Sequence, residues 1–306
     1  VNIKERLDFS CALFSADGNL VANAPHIPVH LGSMSESIKT IIRENFNTMS
    51  PGDAFLINAP YNGGTHLPDI TLIKPVYDEN NEQVIFYVAT RGHHADIGGT
   101  VPGSAPAYSK HVKEEGILID NFNLVSKGIF QENEIYNILS SGEYPARNIK
   151  DNIADLKAQV AASEKGAQEL LRIVRNYGLD VVHAYMQHVQ DNAEECVRRV
   201  IDVLSDCSYT YKMDDGNQVC VTISVDRTER SATIDFTGTS DQHPSNYNAP
   251  KAICQAAVLY VFRCMVDDEI PLNAGCFRPL NLIIPQGSMI NPVYPAAVIA
   301  GNTETS

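Results

Sequence analysis

The chain has 306 residues, 44% of them hydrophobic and 20% charged, which is enough apolar material for one large or two modest globular domains. Its 23 Lys and Arg against 37 Asp and Glu leave a net charge of −14 without a basic cluster, which argues against nucleic acid or an anionic membrane as the main partner. No signal peptide and no apolar run of transmembrane length is present, and seven cysteines without a C-x-x-C read as buried thiols in a reducing cytosol. The chain opens on Val1 without Met and its last six residues carry no helix or strand pattern, so it reads as part of something longer.

In chain order, residues 8–14 form a short apolar strand, and the turn chemistry around Asp17-Gly18-Asn19 folds 15–21 back on it as a hairpin. Residues 33–45 read as a helix, with Ser35 as N-cap and Ile38, Ile41 and Ile42 on one face. Residues 69–76 and 83–90 read as two strands around the polar turn 78–82. A change comes near Asn148: Ile153, Leu156, Val160, Leu170, Leu171 and Val174 follow a helical period ending at Tyr177-Gly178, where Gly178 suits a left-handed C-terminal residue. A second helix is predicted over 180–204, with Val181, Tyr185, Val189, Cys196, Val200 and Ile201 near one stripe, to pack with the first as an antiparallel scaffold pair. Period two then returns. Residues 219–225 and 232–237 pair across 226–230, followed by an apolar helix over 250–266, a loop over 270–276 and a strand over 280–284. The predicted class is α+β, with mainly antiparallel sheets and a central antiparallel helical pair. Its expected parts are a β-rich region 1–147 carrying the site, a helical hairpin 148–207 and an α/β region 208–306.

Three of the nine histidines fall in two short runs, Gly63-Gly64-Thr65-His66-Leu67-Pro68-Asp69 and Arg91-Gly92-His93-His94-Ala95-Asp96-Ile97-Gly98-Gly99. His66 and Asp69 are three apart, and imidazole nitrogen with carboxylate oxygen is a ligand set that Zn, Mn or Fe accepts. The hairpin between the runs returns the chain to its starting end, bringing His93 or His94 to His66 and Asp69. Adjacent residues on an extended strand point to opposite faces, so at most one of the pair reaches a given metal. The glycines suit an irregular, closely approached backbone. The loop 98–104 is a candidate for presenting N–H groups to an anion. There is no G-x-x-x-x-G-K-[ST] loop for ATP and no G-x-S-x-G elbow, and Cys11 sits in a strand without a basic neighbour, which argues against a nucleophilic hydrolase.

These two runs, together with Glu5-Arg6-Leu7-Asp8-Phe9-Ser10-Cys11-Ala12-Leu13-Phe14, Ile27-Pro28-Val29-His30-Leu31-Gly32-Ser33-Met34, Asp155-Leu156-Lys157-Ala158-Gln159-Val160-Ala161-Ala162, Asp235-Phe236-Thr237-Gly238-Thr239-Ser240 and Asn291-Pro292-Val293-Tyr294-Pro295-Ala296-Ala297-Val298, closely resemble the hydantoinase B/oxoprolinase family. The resemblance covers nearly the whole chain. It implies a metal-dependent B-type subunit of a cytoplasmic, hetero-oligomeric, ATP-dependent cyclic-amide hydrolase, opening hydantoin, 5-oxoproline or lactam rings. It implies a divalent metal, Zn or Mn, on Asp8, His66, Asp69 and His93, with Glu5 an alternative to Asp8. ATP and Mg are then expected on a hydantoinase A-type partner with an actin-like ATPase fold, which activates the ring carbonyl by phosphoryl transfer. His94 and His30 are candidates for proton transfer or orientation and Asp96 for a supporting carboxylate. An acetone-type carboxylase subunit and a non-catalytic scaffold subunit are the alternatives. Because a site on a large domain is not its main source of stability, replacing His66 or Asp69 is expected to strip the metal and spare the fold.

Overall fold

A computed structural model describes residues 2–24, 27–268, 270 and 272–306. The chain begins with a short helix α1 (Asn2–Arg6) and a hairpin of β1 (Phe9–Ser15) and β2 (Leu20–Asn23), followed by helix α2 (Pro28–Asn45) and strand β3 (Ala54–Ile57). The predicted hairpin follows as β4 (Asp69–Tyr77) and β5 (Val84–His93), then β6 (Phe122–Ser126), β7 (Ile129–Phe130) and α3 (Glu132–Leu139). These strands make one seven-stranded sheet in the order β2-β1-β5-β4-β3-β6-β7, with every neighbouring pair antiparallel.

Period-two alternation decides what covers each face. Phe55, Ile57, Ile73, Tyr87 and Ala89 pack with Met34, Ile38 and Ile41 of α2. The intervening Leu56, Ile70 and Leu72 pack with Ile153 and Leu156 of α4 (Ile149–Tyr177), and Val76, Phe86 and Val88 with its Ala167 and Leu170. The central hairpin is therefore apolar on both faces, and the sheet lies between two helices.

Helix α4 meets α5 (Leu179–Val203) around their junction, through Leu170, Leu171 and Val174 against Leu179, Val182 and Met186. Farther out, α4 lies on the first sheet while α5 joins the second. Gly178 at the junction has φ 85° and ψ 147°, a positive φ but not the left-handed helical conformation expected. The second sheet comprises β8 (Cys207–Lys212), β9 (Gln218–Asp226), β10 (Ser231–Asp235) and β11 (Leu280–Ile283) in the order β11-β10-β9-β8, with only β10 and β11 parallel. Helix α6 (Lys251–Met265) shares its core with α5 and this sheet and also crosses α2. At that crossing a Cβ on Gly32 would lie 2.7 Å from Ala256 Cα, so only glycine permits the approach.

Helix α2 starts five residues before the expected position, and Ser35 is not its cap. Pro28 stands in the first turn, where a missing N–H costs no hydrogen bond, and the cap residue Ile27 contributes no side-chain bond. Strand β8 has no counterpart in the expected elements because all six of its residues are exposed, which leaves no apolar alternation. The expected loop 270–276 ends in a 3-10 turn, Ala274–Phe277, and its Pro271 lies outside the described residues. All seven cysteines are free, but Cys207 and Cys264 are exposed rather than buried. Among the described residues no helix is long and apolar enough to cross a membrane.

Candidate metal centre

The site is made by the ends of the central hairpin. Asp69, the first residue of β4, pairs directly with His93, the last of β5, so both side chains leave the same face of the sheet. His66 joins them through a tight turn closed by the Asp69 N–H donating to the His66 carbonyl at 3.0 Å. Gly63, at φ 99°, and Gly64 make the entry to this turn possible, since a Cβ on Gly64 would lie 2.2 Å from the Asn58 carbonyl oxygen.

Three donors converge here. His93 Nδ1 lies 3.0 Å from Asp69 Oδ1, His66 Nε2 lies 3.2 Å from His93 Nδ1, and His66 Nδ1 lies 3.2 Å from Asp69 Oδ2. The last contact lacks hydrogen-bond geometry, so His66 Nδ1 is a buried nitrogen without a hydrogen-bond partner. With one atom from each residue, the three donors all lie within 4.8 Å of one another, so the residues fit a divalent ion in donor type and proximity, and the orphaned nitrogen supplies a reason for one.

Asp69 is the electrostatic centre. It is buried, and burial opposes its charge, but the charges of His66 and His30 and hydrogen bonds with His30 and His93 outweigh this and hold the carboxyl well below its usual range. Burial lowers His66, although Asp69 opposes the shift, which favours the neutral imidazole a metal needs. Burial also opposes the charged form of His93, but its hydrogen bond to Asp69 and the charges of Asp69 and Asp8 raise it overall. Thr65 Oγ1 donates to Asp69 Oδ2 at 2.8 Å.

Of the other expected residues, His30 is buried behind Asp69, with Nε2 3.2 Å from Asp69 Oδ2 and Nδ1 2.9 Å from Ser10 Oγ. It orients the carboxylate from within. Asp8 stands beside His93, whose N–H donates to the Asp8 carbonyl at 3.0 Å, but its side chain is not one of the three that converge. Glu5 lies on the exposed helix α1.

His94 points the other way and is fully buried. Gln159 gives its Nε2 to the Ile70 and Thr90 carbonyls and Asn152 gives its Nδ2 to the Asp96 carbonyl, both obligate acceptors. These bonds fix the two amides, so His94 Nε2–H donates to Gln159 Oε1 and Nδ1 accepts from Asn152, as a neutral ring whose pKa burial lowers. His94 is thus a pin between hairpin and α4, remote from any proton transfer at His66. Asp96 touches neither histidine. It accepts from the Gly98 and Gly103 N–H groups and binds Arg147, while the Gly99 and Thr100 N–H groups are taken by the Tyr144 and Glu114 carbonyls. The loop therefore has no free cradle for an anion at these positions.

Arg91, two residues before His93, is fully buried with its guanidinium bonded to Thr71, Ser33 and Ser37. Burial lowers its pKa to about 10 while the charge of Asp69 opposes that shift. Asp69 is its countercharge. Removing that carboxylate would strand a buried cation, so the expectation that the fold tolerates replacement of Asp69 holds less well than for His66.

In front of the three donors is a cavity of about 350 Å³, walled by His66, Pro68, His93, Pro106, Asn246 and Ile299 among others. Its far wall comes from the end of the chain. Val298 and Ile299 donate their N–H groups to Glu115 at 3.0 Å, Ser109 Oγ adds a bond at 2.7 Å, and Tyr61 donates its hydroxyl to the Ala296 carbonyl. Glu115 is buried, and burial outweighs these donors and pushes its pKa up to about 7. Sequence reasoning missed Asn246, Glu115 and Ile299 as site residues. Thr65 and Ser10 lay inside quoted motifs, whereas Asn246 carried no signal beyond a polar loop.

The model of the Hydantoinase B/oxoprolinase family matches residues 1–306, and the chain belongs to that family. It is 45% identical over 329 residues to 5-oxoprolinase 1 of Arabidopsis thaliana, a match that covers 100% of this chain and 26% of the relative. The fold is shared with the ATP-dependent caprolactamase of Pseudomonas jessenii (TM-score 0.86, 24% identity, 97% of this chain and 51% of that one). It is also shared with an acetone carboxylase described as carrying out ATP-dependent acetone carboxylation (TM-score 0.83, 17% identity, 98% and 42%). The chain thus spans about a quarter of the 5-oxoprolinase and about half of the caprolactamase chain.

Proposed function

We propose that this chain is the metal-bearing part of an ATP-dependent cyclic-amide hydrolase, with His66, Asp69 and His93 as ligands and Asp8 as a fourth. The observation that carries this reading is the convergence of three donors, one an orphaned imidazole nitrogen, on a small and largely apolar cavity. The names of relatives at 45% identity favour 5-oxoproline as the ring, ahead of hydantoin or a larger lactam.

A divalent Zn or Mn would lower the pKa of a bound water and polarise the ring carbonyl. The chain's own residues do the rest. Asp69 is held ionised, His30, Ser10 and Thr65 fix its orientation, and Pro68, Pro106 and Ile299 give the reacting face apolar walls. ATP is bound by an A-type ATPase partner, on another chain or another part of a longer one. The carboxylase reading is supported by likeness at 17% identity, which speaks to fold alone.

The test is metal analysis by mass spectrometry on chelator-free full-length protein. About one Zn or Mn per chain is expected, lost in His66→Ala with the far-UV spectrum unchanged. Stoichiometric metal retained by His66→Ala would sink the assignment. Turnover of 5-oxoproline, hydantoin, and acetone with bicarbonate, each with ATP and the partner present, then separates hydrolase from carboxylase.

A further inference from the structure

The three converging donors are not all placed by the same structure. Asp69 and His93 are paired directly across β4 and β5, so the hairpin register sets one against the other. His66 lies outside that register, in the turn before β4, and its place depends on how residues 63–66 are seated on the rest of the fold.

That seat is helix α2. Gly63 comes so close to the helix that a Cβ on it would lie 2.4 Å from the Ser37 backbone nitrogen. At this contact Ser37 Oγ donates to the Gly63 carbonyl at 2.6 Å. The direction of that bond is imposed by Arg91. A guanidinium only donates, so Ser37 Oγ accepts from Arg91 Nη2 at 2.9 Å and its single hydrogen is left for Gly63. Ser33, one turn earlier on α2, shows the contrast. It also accepts from Arg91, but it gives its hydrogen within its own helix, to the Val29 carbonyl at 2.9 Å and more weakly to the His30 carbonyl at 3.4 Å, the ordinary behaviour of a serine inside a helix. Arg91, Ser33 and Ser37 are all fully buried, so water does not compete for these groups. One arginine thus holds two serines of α2, and of these two Ser37 reaches out to the turn that carries His66.

We propose that the relay Arg91–Ser37–Gly63 sets the place of His66 relative to Asp69 and His93, with Ser37 as a positioning residue and Arg91 as the group that aims its hydroxyl. Arg91 stands two residues before His93 on β5, and Gly63 three residues before His66. The relay therefore ties the strand that carries one imidazole to the turn that carries the other. This assignment rests on the metal reading above. Groups that orient metal ligands from outside contribute roughly 10- to 100-fold in metal affinity, and losing one leaves the ligand set complete in type but altered in geometry.

The experiment is titration of full-length, chelator-stripped protein with Co(II), followed by visible absorption, whose position and intensity report the coordination geometry, with urea unfolding in parallel. Ser37→Ala is expected to weaken cobalt binding by about 10- to 100-fold and to change the visible spectrum. Ser33→Ala removes an acceptor from the same guanidinium on the same helix, and is expected to hold cobalt within about 3-fold of wild type with an unchanged spectrum. Both variants should lower the urea midpoint by similar amounts, since each removes one buried hydroxyl. A wild-type spectrum and affinity in Ser37→Ala, or equal changes in both variants, overturns the relay while leaving the metal reading standing. Wild-type protein that takes up no cobalt overturns both. If Ser37→Ala fails to fold, Ser37→Cys carries the test: a thiol is a weak donor, so the spectrum should change in the same way, and an unchanged one overturns the relay.

Discussion

Two carboxylates, Asp69 beside the converging histidines and Glu115 beneath the segment that walls the cavity, are both almost fully buried and both satisfied by several donors, yet they are shifted in opposite directions. Burial penalises the charge of each. Around Asp69 the compensation comes from groups that carry or can carry positive charge, three imidazoles with Arg91 behind them. Around Glu115 it comes from backbone N–H groups and one serine, which are dipoles only, with Glu114 nearby adding repulsion. At Glu115 the donors do not outweigh desolvation, whereas at Asp69 imidazole charge together with hydrogen bonds does. The first arrangement keeps an ionised carboxylate beside the imidazoles and the second makes a strut.

Removing the charge from the first region should produce the largest effect. Asp69→Asn is expected to lower metal affinity by about 100-fold and, by removing the charge that offsets buried Arg91 and the acceptor for His30, His93 and Thr65, to lower stability by about 1–3 kcal/mol. Metal analysis and urea unfolding measure the two separately, and unchanged stability would mean that Arg91 finds its compensation elsewhere. The corresponding change on the strut, Glu115→Gln, should act through pH. An unfolded chain releases this proton near 4.5, whereas the folded protein keeps it to about 7. Wild-type stability should therefore fall as pH rises across that window, by up to about 3 kcal/mol, and stay level above it. Glu115→Gln should flatten that slope in urea titrations run at successive pH values. Asp69 works in the opposite sense, its contribution being lost as pH falls below the ordinary carboxylate range. The smallest effect is expected for Thr65→Val, which removes one donor from Asp69 at nearly constant volume and should cost about 1.5 kcal/mol in the same unfolding assay.

The asymmetry between the two regions also explains what could be read from the sequence. His66, Asp69 and His93 were legible because a local hairpin carries them, and the register that pairs Asp69 with His93 follows from two apolar runs and one polar turn. The opposite facing of His93 and His94 followed from strand geometry, but the direction each one takes did not. The role of His94 depends on Gln159 and Asn152, which arrive on a helix about 60 residues later. Asn246, Glu115 and Ile299 were invisible for the same reason in stronger form. Each is a single residue in an irregular segment, and their meeting is set by contacts spanning well over a hundred positions, which leave no periodic trace. Strand β8 escaped because it buries neither face, and the true start of α2 because a proline in the first turn replaced the side-chain cap that pattern reading looks for.

The docking of residues 296–299 against Tyr61 and Glu115 has a consequence for biosynthesis. The hairpin that carries Asp69 and His93 is synthesised once residue 93 has been added, but the wall opposite it needs another two hundred or so residues, roughly 10–40 s of translation at ordinary elongation rates. Helix α4, which covers one face of the hairpin, comes within that interval, so the cavity is the last part of this region to take shape.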